Sequence, residues 1–212
     1  MDIGQVAKER RAHLGYLDIR NDIQDGDILL FRGKSWISRL ICWITRSPYS
    51  HSAILGWWNG RLMVLEAVAT GIVASRMSLV VNKYSGKVEL WTTDENLSRF
   101  EVIHAAQLLL GKRYSKYKLV RNFMRLLLGR GRDEPIDPEA PPEDFVCSEF
   151  VSRVWRAGGI DLSKDSPDMY TKPSDIAKSP SVRKVGDLVR ASPGKLAAKT
   201  VPRRPERSVG AR

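Results

Sequence analysis

The chain has 212 residues, of which 42% are hydrophobic, and its 35 Lys and Arg exceed its 24 Asp and Glu, for a formal net charge of +11. That size suits one domain with a packed core. Two cysteines are too few for a disulfide framework, and with three scattered histidines they show no metal-ligand spacing, so no metal or other cofactor is expected.

Residues 1–20 are charged throughout and lack the apolar core of a signal peptide, and no run approaches the ~18 apolar residues of a membrane span, so a cytoplasmic protein is expected. Gly4 to Arg20 reads as a charged helical lead-in, setting residues 1–23 apart. Gln24-Asp25-Gly26-Asp27 is a turn that feeds the apolar run Ile28-Leu29-Leu30-Phe31, the first strand. Lys34 to Thr45 sets Trp36, Ile37, Leu40, Ile41, Trp43 and Ile44 at helical intervals with Arg39 and Arg46 outside the stripe. A short helix packed on the sheet follows, with Cys42 as core filling.

Ser47-Pro48-Tyr49 ends that helix and delivers the run His51 to Trp58, which Asn59-Gly60 separates from Arg61 to Ala67. An Asn-Gly pair between two strand-like runs signals a hairpin. In an antiparallel hairpin His51, opening one arm, and Glu66, closing the other, lie at the same sheet edge, although a one-residue slip would turn either away. Ile72 to Tyr84 and Gly86 to Thr93 add two strands, giving an α+β fold with an antiparallel sheet of about five strands, or a small open barrel, packed against helices.

Leu97 to Leu110 is helical, with Asn96 or Asp94 as cap and Gly111 as stop, and its His104 is packing or surface. Lys112 to Arg132 is a basic amphipathic stretch that fits a half-solvated helix and can also lie on an anionic membrane surface. An acidic, Pro-rich loop over 133–142 follows. Beyond Gly159, Ser174-Asp175-Ile176 marks a short helix and Val182 to Leu188 a last strand. From Ala191 to Arg212 six basic residues oppose only Glu206, in a segment without apolar periodicity. We read 191–212 as a solvated basic tail; nucleic acid is not the expected partner, and oligomeric state is not legible.

Pro142 to Trp155 carries the strongest chemical signal. The double proline ends what precedes it, Asp144 is the N-cap candidate, and Phe145, Val146, Phe150, Val151, Val154 and Trp155 recur at helical spacing before Gly158-Gly159. Cys147 then falls in the first turn, where unpaired N–H groups and the helix dipole favour the thiolate. A free cysteine on an apolar helix is more often core filling, and position alone leaves both meanings open. A thiol hydrolase needs a thiolate, an imidazole to shuttle its proton and a polar group to orient the imidazole; Cys147, His51 and Glu66 supply one of each.

Gly26-Asp27-Ile28-Leu29, Ser50-His51-Ser52-Ala53-Ile54, Glu66-Ala67, Leu110-Gly111-Lys112-Arg113-Tyr114, Cys147-Ser148-Glu149-Phe150-Val151 and Pro173-Ser174-Asp175-Ile176 follow one another as in the YiiX-like group, which the chain resembles from about Gln24 to Leu188. That group comprises circularly permuted papain-like hydrolases of the NlpC superfamily, in which the histidine precedes the cysteine. The resemblance implies a permuted papain-like catalytic domain over 24–190, with Cys147 as nucleophile, His51 as general base and acid, Glu66 as the group orienting the imidazole, and Tyr114 lining the site as a substrate or oxyanion contact. Two departures stand out: Ser115 replaces the acidic residue that often follows the tyrosine, and a basic insertion, Lys116 to Asp144, separates Tyr114 from Cys147.

The expected function is a cysteine amidase or peptidase, acting on cell-wall-type or other small peptide amides through an acyl-thioester. One alternative is a lipid acyltransferase or thioesterase at a membrane surface, reached through 112–132 or the tail, although the surround of Cys147 differs from the Asn-Cys-Glu-His-Phe type of lipid acyltransferases. The other is a non-enzymatic basic protein that binds nucleic acid or membrane, which leaves the co-occurrence of Cys147, His51 and Glu66 unexplained.

Overall fold

The computed structural model describes residues 13–114, 144–145, 147–164 and 167–189. Residues 116–132, the acidic loop and the basic tail lie outside the described residues. In chain order the elements are β1 (His13–Gly15), α1 (Tyr16–Ile19), β2 (Ile28–Arg32), α2 (Trp36–Thr45), β3 (His51–Trp58), β4 (Arg61–Val68), β5 (Gly71–Arg76), α3 (Met77–Lys83), β6 (Lys87–Thr92), α4 (Arg99–Leu108), β7 (Arg113–Tyr114), β8 (Asp144–Phe145), α5 (Cys147–Ala157), a 3-10 turn (Asp168–Tyr170), α6 (Pro173–Lys178) and β9 (Arg183–Val189).

Seven strands form one open sheet in the order β1-β9-β6-β2-β3-β4-β5, and β7 and β8 pair separately. The six strands from β9 to β5 pair antiparallel, and β1 adds to β9 in parallel. Strand β2 lies between β3 and β6, covered on both faces, and so its apolar run has no polar interruption. Ile28 and Leu30 face a core completed by Val102 of α4 and by Phe150, Val151, Val154 and Trp155 of α5. Leu29 and Phe31 face the other core with Tyr16, Met77 and Val81. The β3–β4 hairpin closes through Asn59 and Gly60, both at positive φ (49° and 68°), the geometry of a two-residue turn that matches strand twist.

Helix α5 is fixed at several points along its length. The Trp155 indole N–H donates to the Gly26 carbonyl at 2.9 Å, the Ser148 hydroxyl donates to the Thr171 carbonyl, and the Ser152 hydroxyl donates to Asp168 at 2.7 Å. A Cβ on Gly158 would meet Val102 Cγ2 at 2.5 Å, so only glycine lets α5 end this close to α4. Asp27 is buried and accepts from the Gln24 N–H, the Thr92 hydroxyl and Arg99, at 2.9, 2.7 and 3.2 Å. Its conspicuous place after Gly26 therefore has a structural cause.

The described elements differ from the sequence expectation at several points. The sheet has seven strands, because His13–Gly15, read as part of a helix, pairs with Asp187–Val189. Ile72 to Tyr84 is no single strand: Met77 and Val81, four residues apart, bury one face of α3 where β5 ends. Helix α4 follows Ser98, whose side chain makes no cap bond, and Asp94 instead pairs with Arg183. Asp144, expected as the N-cap, lies instead with Phe145 in a short strand parallel to Arg113–Tyr114, and α5 starts at Cys147. Cys42 is half-buried rather than core, and the Trp36, Leu40 and Trp43 side chains of α2 are exposed rather than packed on the sheet.

Trp155→Ala is expected to lower unfolding free energy by about 3–5 kcal/mol, and Trp155→Phe, which leaves the Gly26 carbonyl without its donor, by about 1–3 kcal/mol. Urea unfolding followed by circular dichroism checks both; a cost below about 1 kcal/mol for the alanine variant would remove Trp155 from its anchoring role.

Candidate active site

Three elements meet at one end of the sheet. The pairing of Ile54 with Leu65 sets the β3–β4 register, and alternation from there puts His51 and Glu66 on one face as diagonal neighbours. His51 Nε2 lies 2.7 Å from Glu66 Oε2. The imidazole also rests on the Phe31 ring at 5.2 Å between centroids, and Phe31 is braced edge-on by Tyr84 at 4.9 Å. Phe31 is there because it is the β2 partner of His51 in register.

The same imidazole hydrogen-bonds Cys147. Because Nε2 is held by Glu66, Nδ1 is the nitrogen left for the sulfur. Cys147 opens α5, which packs on β3 and β4, so helix packing and hairpin register together fix this meeting point. As first residue of the helix, Cys147 also feels the positive end of the α5 dipole.

Ser52 was not singled out from the sequence. It follows His51 on β3 and so turns to the opposite face, the side on which α5 packs. Its side chain is fully buried, and its hydroxyl has no hydrogen-bond partner among the described residues. It faces Cys147, and its N–H and hydroxyl both favour the thiolate there. Strand alternation next to His51 was the available signal, but it acquires meaning only once α5 is known to cover that face.

The electrostatics follow from these contacts. Burial by itself would lower the His51 pKa, but the Cys147 charge and hydrogen bond, then Glu66, outweigh it and push the imidazole up to about 10. Burial would raise the Cys147 thiol; the His51 charge and hydrogen bond, with the N–H and hydroxyl of Ser52, outweigh it and hold the thiol below its ordinary range. Both shifts act in the direction of a thiolate–imidazolium pair.

An open groove of about 620 Å³ lies on the Glu66 side of the imidazole, with Phe31, Met63, Leu79, Val80 and Tyr84 as its apolar wall and Arg76 and Lys83 among its lining residues. Tyr114 is held in register with Phe145, two residues before Cys147, so its backbone is near the helix start; the placement of its side chain lies outside the described residues. His104 is exposed beside Glu101, away from these groups. Among the described residues, no group of three or more His, Cys, Asp or Glu side chains is arranged to hold a metal ion, and no helix is long and apolar enough to cross a membrane.

No family model and no curated protein matches the chain. Among solved structures it is similar to the crystal structure of metalloprotein YiiX from Escherichia coli O157:H7, DUF1105, at 19% identity and a TM-score of 0.59, over 78% of this chain and 98% of that one. A likeness at that identity speaks for the fold, and the chain has a YiiX-like α+β fold.

Proposed function

We propose that the chain is a permuted papain-like cysteine hydrolase that cleaves an amide bond, as in small or cell-wall-type peptides, through an acyl-thioester on Cys147. The observation that carries this reading is one imidazole bonded at once to a helix-start thiol and to a carboxylate. The Cys147 thiolate attacks the carbonyl carbon, and the oxyanion that forms is met by the Cys147 N–H, a first-turn donor without a helical acceptor. The His51 imidazolium gives its proton to the amine as the C–N bond breaks. His51, now neutral, takes a proton from water as its oxygen attacks the thioester; the C–S bond breaks, the acid leaves and the ion pair returns. Glu66 holds the ring in place and balances its charge throughout. Tyr114 is proposed as a substrate contact on its backbone position alone.

The apolar groove with Arg76 and Lys83 among its lining residues favours a second reading, in which the acyl donor is an amphiphile with a hydrocarbon chain and an anionic head, cleaved or transferred through the same thioester. Mass spectrometry of the Cys147 adduct separates the two: a peptidyl fragment supports the amidase, an acyl chain the alternative.

The YiiX neighbour is titled a metalloprotein. Here Cys147, His51 and Glu66 are not among any group of His, Cys, Asp or Glu side chains arranged to hold a metal ion among the described residues. These residues do not fit a metal site, and no step is routed through one. Amide turnover is accordingly expected to survive exhaustive dialysis against a chelator; loss restored by a divalent cation would contradict this.

Cys147→Ala and His51→Ala should each lower turnover of a peptide-amide and ester panel by about 10⁴-fold or more, and Glu66→Gln by about 10²-fold or more. Unchanged turnover in Cys147→Ala would end the proposal. The pH profile should have an acid limb below the ordinary thiol range, where the thiolate protonates, and an alkaline limb near 10, where His51 loses the proton owed to the leaving group. Ser52→Ala should move the acid limb upward, and an unmoved limb would remove Ser52 from the thiolate's support.

A further inference from the structure

Helix α2 presents an apolar face with nothing over it among the described residues. Trp36, Leu40 and Trp43 are 74%, 42% and 72% exposed, and their i, i+4, i+7 spacing makes them one stripe. Arg39 belongs to that stripe, since it bounds the same shallow depression as the three apolar side chains. The local charge has one sign: from Arg32 to Ser50 the sequence holds Arg32, Lys34, Arg39 and Arg46 and no acidic residue. Glu89 takes Arg32 at 2.8 Å, while Lys34, Arg39 and Arg46 are exposed without an acidic partner among the described residues.

We infer that the Trp36–Leu40–Trp43 face of α2 docks on an anionic lipid bilayer. Indoles combine an apolar body with an N–H and settle at the level of lipid headgroups, and a cation set between them meets lipid phosphates at the same depth. An apolar protein groove would instead have to bury Arg39. At 10 residues the helix is ~15 Å long, half of what spans a hydrocarbon core, so it lies along the surface. Charge complementarity selects anionic over zwitterionic lipid, each basic group near such a surface adding modestly to attachment. The same chain segment leads through Arg46 to Ser50 directly into His51, so docking holds this end of the sheet at the membrane. The inference does not depend on the chemistry of Cys147.

The test uses the full chain with vesicles of phosphatidylcholine alone and of equal parts phosphatidylcholine and phosphatidylglycerol, the acyl chains brominated in a parallel set. Wild type should co-sediment with the anionic vesicles, lose binding as salt rises, and have its tryptophan emission quenched by the brominated chains. Trp36→Ala/Trp43→Ala should weaken binding at least about tenfold and abolish the added quenching, and Arg39→Glu should weaken it about fivefold or more. Cys147→Ala should bind as wild type does, which keeps this inference separate from the proposed hydrolysis. Circular dichroism should match wild type, because the substituted side chains are exposed. Wild type failing to bind, or the double variant binding and quenching like wild type, would overturn the proposal, the latter assigning attachment to other basic segments. A double variant that shifts from dimer to monomer in light scattering with vesicle binding intact would overturn it too, making the face a contact between copies.

Discussion

The arrangement turns on a single imidazole with a carboxylate at one nitrogen and a thiol at the other. A neutral His51 would be favoured by its burial, and so would a protonated Cys147. Brought together, each supplies the charge that makes ionisation of the other favourable, and Glu66 fixes which nitrogen faces the sulfur. The rest of the fold can be understood as what keeps these three groups within reach despite their separation along the chain.

Two independent constructions deliver them. The tight Asn59-Gly60 turn sets a hairpin register that leaves His51 and Glu66 on one face at its open end. Helix α5 brings Cys147 from late in the chain, and its position is held by the Trp155–Gly26, Ser152–Asp168 and Ser148–Thr171 bonds and by the close approach at Gly158. Gly26, whose carbonyl receives Trp155, lies in the turn just before the strand that places Phe31 beneath His51. Core packing and site geometry thus share residues, and a helix displaced by a small fraction of its length would separate sulfur from nitrogen.

Much of this could be read from the residues. The Asn-Gly turn announced the hairpin, the apolar run Ile28 to Phe31 announced the first strand, and the periodic apolar stripe after Cys147 marked α5. Other features were hidden for physical reasons. The β1 strand is three residues long and exists only because β9 offers it an edge, so its own sequence carries no periodic signal. The α2 stripe has the helical spacing of a core-facing segment, and spacing cannot say whether protein or another apolar phase covers it. Ser52 is one serine among several, and its buried, unpartnered hydroxyl emerges only when α5 is seen to cross that face. The start of α5 was misjudged by the Asp144 cap signal, because the pairing of Phe145 with Tyr114 is a long-range contact.

The central claim is that Cys147 and His51 rest as an ion pair. The ultraviolet absorbance of the Cys147 thiolate, titrated with pH as the difference between wild type and Cys147→Ala, measures it most directly. The account predicts a thiolate band already present at neutral pH that vanishes only in acid, and that is absent at neutral pH in His51→Ala. A band that grows in only across the ordinary thiol range, near pH ~8.5, with or without His51, would contradict it.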